Sequence, residues 1–499
     1  MSKPTQNPAA SRTQKPSPHS HGEAPPQGVY LVSLGCDKNR VDGETMVGNL
    51  RGAGFRVTNE PADAAAIIVN TCGFIKDAVQ ESIDLVLELA AYKQAGSCKG
   101  LIIVGCMSER YRGEIKEAIP EADAILGVKE YDQIAQVVGG LIGMPEKPGA
   151  QAKFSRLLAR KDDVIPHVAY VKIAEGCDNH CSYCTIPSIR GGYVSRRMEN
   201  ILEECSELLA AGVNEIVLVA QDTALYGKDI YGEQRLPQLL YGLAKVMDGF
   251  VCGDDAANGR ETDKNATTTA TRRAPLARVM YVYPEHVTPE IIRALAGIPY
   301  VCKYVDMPLQ HSEDAVLARM GRSSSKASLT KLVETLREEI PGIAIRTTLM
   351  VGFPGETVEN FEDMYRFVEE MKFDRMGVFP YSREAGTPAA EMPQQIQEEV
   401  KQERLHRLME LQQKIHFKKQ EEKVGSSLRV LIDSEVHDPS LVDAPLSLSM
   451  HNYLARTEQD AYEVDAVVYV ESQTPLEIGQ FYQVKITEAL QYDLKGICE

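Results

Sequence analysis

The feature that most narrows the folds open to this chain is the octet Cys177-Asp178-Asn179-His180-Cys181-Ser182-Tyr183-Cys184, which comes shortly after the apolar run HVAYVKIA. A short apolar run of this kind reads as a buried strand, so the three thiols, spaced C-x3-C-x2-C, leave it on one loop. Three thiolates on one loop can hold three irons of a 4Fe-4S cluster and leave the fourth iron open to a ligand, as catalytic metal sites keep an open position. The competing readings are a zinc knuckle, for which His180 is the one near fourth ligand, and merely buried cysteines.

The run is the first of six. EIVLVAQD, RVMYVYPEH, YVCKYVDMPLQ, IAIRTTLMVGF and RMGVFPY come after it, separated by helical patterns such as ASLTKLVETLREEI. Six strand–helix units predict a partial (β/α) barrel over 166–394, with its chemistry at the strands' C-terminal ends. Within it, residues 253–274 are polar and of low complexity, and the expectation is a mobile insert remote from the chemistry.

Upstream, the runs VYLVSLG, AAAIIVN and GLIIVGC also alternate with helical patterns, which predicts a parallel α/β domain over 29–145. Each run ends at or within two residues of a cysteine: Cys36, Cys72 and Cys106. A lone buried cysteine is usually a small core hydrophobe, but three that end strands of one parallel sheet converge in space. Residues 1–28 are rich in Pro, Ser, Gln and His and read as a disordered tail; 146–165 read as a linker. Residues 395–423, with Ile396, Val400, Leu405, Leu408, Leu411 and Ile415, predict an amphipathic connecting helix. The short alternating strands of 424–499 predict a small OB-like β-barrel, a candidate for substrate contact.

A length of 499 residues agrees with several domains, and the formal charge of −17 argues against sequence-independent phosphate binding as the main activity. No run of 18 apolar residues and no signal-peptide core is present, so a soluble cytoplasmic protein away from membranes is expected. Eleven cysteines in such a chain point to reduced thiols or metal ligation rather than disulfides. Cys98, Cys205, Cys252, Cys302 and Cys498 lack ligand spacing and read as structural.

The three-cysteine loop on a βα unit resembles that of the radical S-adenosylmethionine (SAM) superfamily. That resemblance implies that the open iron of a cluster on Cys177, Cys181 and Cys184 chelates SAM, which is cleaved reductively to a 5′-deoxyadenosyl radical. It makes Tyr183 a neighbour of the adenine, and Gly352, Gly355 and Glu356 of the GFPGE segment candidates for the SAM pocket. Gln221 and Arg346 are further candidates for contact with SAM. Each also has a plain structural reading: a shielding aromatic, a glycine turn, a satisfied polar strand residue. His286 and His311 come just after candidate strands and either line the pocket or are simply hydrogen-bonded.

From Val29 onward the segments SLGCDKNRVDGE, VNTCGF, IVGCMSER and EGCDNHCSYCTIPSIRG, with the trailing β-barrel, resemble the methylthiotransferases. The resemblance implies a second 4Fe-4S cluster on Cys36, Cys72 and Cys106, and a last domain of the TRAM type. It also implies a reaction in which one SAM methylates a cluster-bound sulfur and another supplies the radical. One departure is Asp42-Gly43-Glu44, where the family usually reads D-S-E.

Members divide between those modifying adenosine 37 of tRNA and those modifying the β-carbon of an aspartate in small-subunit ribosomal protein S-twelve. SLGCDKNRVD and CKYVDMPLQH look like the second branch. Residues 424–499 hold four Lys and Arg against thirteen Asp and Glu, the wrong sign for gripping RNA and the right one for a basic ribosomal protein. The expected partners are therefore protein S-twelve, free or in the small subunit, and an electron donor such as flavodoxin or ferredoxin. tRNA is the alternative substrate; Arg190, Arg196 and Arg197 near the active rim either meet its phosphate, or equally meet the carboxylate of a protein substrate, or are merely a solvated face. A non-catalytic electron-transfer or sensor protein is the alternative from another class.

Overall fold

The computed structural model describes residues 28–96, 98–145, 149, 156–159, 166–257, 275–438, 440, 442 and 444–499. Residues 1–27 of the tail read over 1–28, most of the linker and most of the insert thus lie outside the described residues, while Gly28 already belongs to the first strand. Among those described, no helix is long and apolar enough to cross a membrane. The chain divides into two compact units, Met1–Lys161 and Asp162–Glu499.

In the first unit, β1 (Gly28–Ser33), β2 (Arg56–Thr58), β3 (Ala64–Thr71), β4 (Gly100–Gly105) and β5 (Ala124–Leu126) form an all-parallel sheet in the order β2-β1-β3-β4-β5. The strands are apolar runs rather than alternations because both faces are covered. Ile67, Val69, Leu101 and Ile103 share a core with Val86 and Leu89 of the helix Lys76–Gln94. Ala66, Ile68, Ile102 and Val104 share the other with Met46 and Leu50 of Asp37–Gly52 and with Ile134 and Val138 of Ile134–Ile142. Each such Ile, Leu or Val contributes roughly 1.5–3 kcal/mol by burial. The short helix Arg156–Ala159 falls where the sequence reads as linker, yet it is tied to this unit: Arg156 Nε donates to Glu44 at 3.0 Å and Arg51 to Ala159 O at 3.2 Å.

In the second unit, β6 (Val168–Lys172) is succeeded by a small hairpin, β7 (Ala174–Glu175) with β8 (Val194–Ser195). Then come β9 (Glu215–Val219), β10 (Leu276–Val279), β11 (Tyr304–Asp306), β12 (Ala344–Val351) and β13 (Arg375–Pro380). The six long-range strands are parallel and make two three-stranded sheets, β6-β9-β10 and β11-β12-β13. A parallel bridge at Ala277 and Val301, and the bond from Cys302 N–H to Ala277 O (2.8 Å), join the two into one partial barrel.

The chain ends in a closed five-stranded barrel of order β14-β15-β16-β18-β17: β14 (Ser427–Glu435), β15 (His451–Thr457), β16 (Val468–Ser472), β17 (Phe481–Ala489) and β18 (Leu494–Cys498). It closes the lower end of the partial barrel, where the strands begin. Arg456 pairs with Glu215 (2.8 Å) at the start of β9, and His167, just before β6, meets Asp433 at 2.9 Å. Tyr304 at the start of β11 donates to Asp465 (2.7 Å), and Arg375 at the start of β13 pairs with Asp460.

The connecting helix, Glu398–Glu421, sits within the expected span, but the face it buries is not the apolar stripe. Leu408 and Leu411 are buried, together with Lys401, Arg404, Gln412, His416 and Gln420, while Leu405 and Ile415 are half-buried. These polar side chains strap the barrel by hydrogen bonds: Lys401 donates to Tyr381 O (2.8 Å) and Gln412 to Phe373 O (3.0 Å).

Candidate active site

The loop after β6 carries Cys177, Cys181 and Cys184. The hairpin β7–β8 clamps its two ends, and Gly176 turns it with φ +75°, a left-handed conformation in which any Cβ would also collide with the Gly192 carbonyl. From there the loop lies over the strands' C-terminal ends and touches a segment beyond each of the other five strands. Asn179 Nδ2 donates to Asp222 (3.0 Å) after β9, and Tyr283 after β10 meets Cys181 Sγ at 3.4 Å. Ser182 N–H donates to Met320 O (2.9 Å) after β11, and Tyr183 packs edge-on against Phe353 after β12, with centroids 6.4 Å apart. After β13, Ala389 N–H donates to Ser182 O at 2.8 Å.

Backbone N–H groups aim at two of the sulfurs: Asn179 at Cys177 (3.4 Å) and Ile186 at Cys184 (3.5 Å). Burial above all, with a smaller contribution from the adjacent Cys181, pushes the Cys177 thiol up to about 11 and the Cys184 thiol up to about 12. A positively charged partner at this point would reverse that effect, because a metal-bound thiol is deprotonated outright. Among the described residues, no three His, Cys, Asp or Glu side chains already stand in a metal-holding arrangement.

Gln221 lies at this rim and donates to Glu175 Oε1 (3.3 Å), while its own Oε1 is buried with no partner among the described residues. Burial alone would raise Glu175, but Lys172 and Arg190 beside it outweigh that and bring its carboxyl down to about 2.

The GFPGE segment is also at the rim, though its parts serve the scaffold. A Cβ on Gly352 would collide with the Lys401 stem, so this glycine permits the close approach of the connecting helix. Gly355 N–H bonds Gln394 O at 2.9 Å. Glu356 accepts from Gly352 N–H (2.8 Å) and pairs with Arg404 of the helix (2.6 Å), and burial raises its carboxyl above the usual range. Phe353 is the member that faces Tyr183.

Arg346 is not brought to this set. It sits near the beginning of β12, where Asp306 (2.9 Å) and Asp465 of the C-terminal barrel (3.4 Å) hold its guanidinium at the lower end of the barrel. Arg190 is buried against Glu175, and Arg196 donates to Lys172 O (2.7 Å) and pairs with Glu204 (2.7 Å), so both are committed within the protein; Arg197 is exposed.

In the first unit the three cysteines stand at the ends of the adjacent strands β1, β3 and β4, around the point where strand order reverses. Cys36 precedes the helix Asp37–Gly52, and Cys106 opens the helix Cys106–Arg110. The loops touch: a Cβ on Gly35 would stand 3.1 Å from Cys72 Sγ, and one on Gly73 would stand 2.6 Å from Met107 N. Buried Asn39 ties all three together, donating to Leu34 O (2.9 Å) and Thr71 O (3.1 Å) and accepting from Cys106 Sγ at 3.6 Å.

Known proteins share this organisation. Residues 28–127 match an uncharacterized protein family, UPF0004; 171–368 match the radical SAM superfamily; 424–498 match the TRAM domain. The ribosomal protein uS12 methylthiotransferase RimO of Desulforamulus reducens is 44% identical, covering 94% of this chain and 98% of that protein. The chain belongs to the uS12 methylthiotransferase family. RimO of Lachnoclostridium phytofermentans (41%, 94% of this chain and 100% of that protein) and of Heliobacterium modesticaldum (42%, 94% of each) are similar. Among solved structures, the radical SAM methyltransferase TsrM of Kitasatospora setae is 14% identical, covers 73% of this chain and 74% of that one, and has a TM-score of 0.48.

In this methylthiotransferase the departure at Gly43 has a local counterpart, since a Cβ there would collide with Ser33 Oγ. His286 and His311 turn out differently from each other. His286 Nδ1 bonds the fully buried Asp222 at 2.6 Å and its ring stacks on Tyr283, so it joins the rim. His311 is wholly buried; it accepts from Glu313 N–H (2.9 Å), and burial brings it down to about 3, so it is a neutral core group. Glu175, Asp222, Tyr283 and Arg322 were not singled out from the sequence. Their one signal is position, just after a strand or, for Arg322, after the short helix Asp314–Arg319. Tyr281 and Gln310, non-glycine residues with φ of 59° and 71°, also lie just past β10 and β11, where strain collects at functional rims.

Proposed function

We propose that this chain adds a methylthio group to ribosomal protein uS12, at the β-carbon of an aspartate, with two 4Fe-4S clusters and SAM as cofactors. The observation that carries the reading is the pair of three-cysteine sets, one laid over a parallel barrel's mouth and one at adjacent strand ends, in a chain 44% identical to a RimO along 94% of its length. Cys177, Cys181 and Cys184 would hold the cluster that binds SAM, and Cys36, Cys72 and Cys106 the second. When bound, these groups supply the radical that takes hydrogen from the substrate carbon and the sulfur that replaces it.

The chain's own residues do the positioning. The Cys177–Cys184 loop is bonded to or packed on segments after five strands, so the thiols are held without help from a ligand. Backbone N–H donors to Cys177 and Cys184 suit thiolates rather than thiols. Tyr183, Phe353 and Tyr381, stacked edge to face (Phe353 to Tyr381 5.5 Å), keep water from one side of the loop. On another side Glu175 stays ionised and the open Gln221 Oε1 awaits a donor, which suits the amino or ribose groups of SAM.

The acidic C-terminal barrel offers a basic substrate fewer free carboxylates than its composition suggests. Asp433, Asp460 and Asp465 of the acidic C-terminal barrel face Arg456, Arg375 and Arg346 internally and are not offered to a partner. Support for uS12 over tRNA therefore comes from the relatives, and from the commitment of Arg190 and Arg196 within the protein. Flavodoxin or ferredoxin as electron donor, and a cytoplasmic setting, complete the proposal.

Anaerobic reconstitution tests the ligand sets. Full-length protein should bind about eight irons, and a Cys177→Ala/Cys181→Ala/Cys184→Ala variant about four. About four irons falling to none would make the first-unit cysteines structural and end the two-cluster reading.

A further inference from the structure

We infer that Tyr283 tunes the reduction potential of the radical cluster by donating its hydroxyl proton to the Cys181 sulfur, with Arg322 holding and polarising the ring. The inference rests on the assignment of Cys177, Cys181 and Cys184 as cluster ligands. Two of those sulfurs take donors from the backbone, Asn179 N–H on Cys177 and Ile186 N–H on Cys184. Cys181 is instead met by a side chain, the Tyr283 hydroxyl at 3.4 Å. Against a thiolate only the hydroxyl can donate.

The ring has little freedom. The Arg322 guanidinium lies 3.8 Å from its centroid, and the His286 ring stacks on it at 5.1 Å and 25°. Both neighbours are themselves fixed. Arg322, its side chain 1% exposed, forks onto the two oxygens of Glu285 (3.0 Å each) and donates to Pro308 O (3.0 Å). Ser324 bonds the same Glu285. His286 is held by Asp222, which also holds Asn179 at 3.0 Å, so this assembly grips the cysteine loop at residues 179 and 181.

A cation against the face of a phenol makes its O–H a better donor, and burial strengthens the effect. A donor on a cluster thiolate stabilises the charge added on reduction and so raises the potential. Tyr283 acts through Cys181, so it is a positioning residue, and the readout that separates tuning from packing is the potential itself.

The test uses full-length protein carrying Cys36→Ala/Cys72→Ala/Cys106→Ala, so that the radical-site cluster alone is observed in an EPR-monitored redox titration. Tyr283→Phe in that background should keep the parent's iron content and shift the midpoint to a more negative potential. An unchanged midpoint at unchanged iron overturns the inference while leaving the ligand assignment standing. A parent that binds no iron overturns the assignment and the inference together. Should Tyr283→Phe lose its iron, Arg322→Lys, which keeps the hydroxyl but replaces the flat guanidinium, must shift the midpoint the same way; a loaded Arg322→Lys protein at the parent's potential overturns the inference.

Discussion

At the scale of single residues, the site depends on positions whose constraint is steric or electrostatic rather than chemical. Gly176 is one: a side chain there must adopt φ +75° and displace the Gly192 carbonyl, a cost of about 1–3 kcal/mol placed on the turn into Cys177. Gly176→Ala should therefore fold but retain about four of eight irons on reconstitution; full iron loading would show that the turn is dispensable. His311 gives a pH signature. Its folded value of about 3 lies below the ordinary 6.5, so the unfolded chain takes up a proton first as pH falls. The stability this group contributes is complete above pH 6.5 and is lost as pH falls towards 3, on the order of 2 kcal/mol by about pH 5. His311→Asn should flatten urea-measured stability across that window; an unchanged slope would place the loss elsewhere. The cysteines were legible because their spacing repeats a ligand pattern. Tyr283, Arg322 and Asp222 were not, because each reaches the site alone from a different segment and no spacing records their meeting; Glu175, two residues before Cys177, owes its part to Lys172 and Arg190, whose approach no spacing records either.

At the scale of elements, all six barrel strands and the three long strands of the first unit were legible as apolar runs; most are covered on both faces, while β12 alternates buried and half-buried residues around Arg346, Thr347 and Thr348. β2 and β5, three residues each at the sheet edges, were too short to show a period. β15 and β18 are hard to read for another reason: His451–Thr457 and Leu494–Cys498 carry Asn452, Arg456 and Lys495 among their apolar residues, and Arg456 is buried by its ion pairs. The connecting helix was found by its pattern, but its function is carried by polar groups that the apolar stripe hid. Arg404 is the clearest, as it neutralises the buried Glu356 that closes the GFPGE loop. Arg404→Ala should cost about 3–5 kcal/mol in urea unfolding by leaving that carboxylate unpaired, and Arg404→Met/Glu356→Gln should recover much of the loss. A single variant within about 1 kcal/mol of the parent would remove the strap from the account.

At the scale of the whole molecule, the three matched regions agree with the expected order of parallel domain, radical SAM barrel and TRAM module. What composition did not reveal is that the last module is built into the barrel. Glu215, Arg278, Arg346 and Arg375 all find partners on it, through Arg456, Glu458 O, Asp465 and Asp460. A chain ending at Lys423 would leave these buried charges exposed or unpaired and should not remain soluble; a soluble, folded product would refute the integrated barrel. The linker and insert, read from polarity, fall largely outside the described residues. The central claim is methylthio transfer to uS12, and the most direct measurement is a competition. Reconstituted enzyme, SAM and a strong reductant are incubated with uS12 and tRNA together, and both are analysed by mass spectrometry. A methylthio group in place of one hydrogen on an aspartate of uS12, with tRNA unchanged, is the predicted result. The same group on tRNA, with uS12 unchanged, would contradict it.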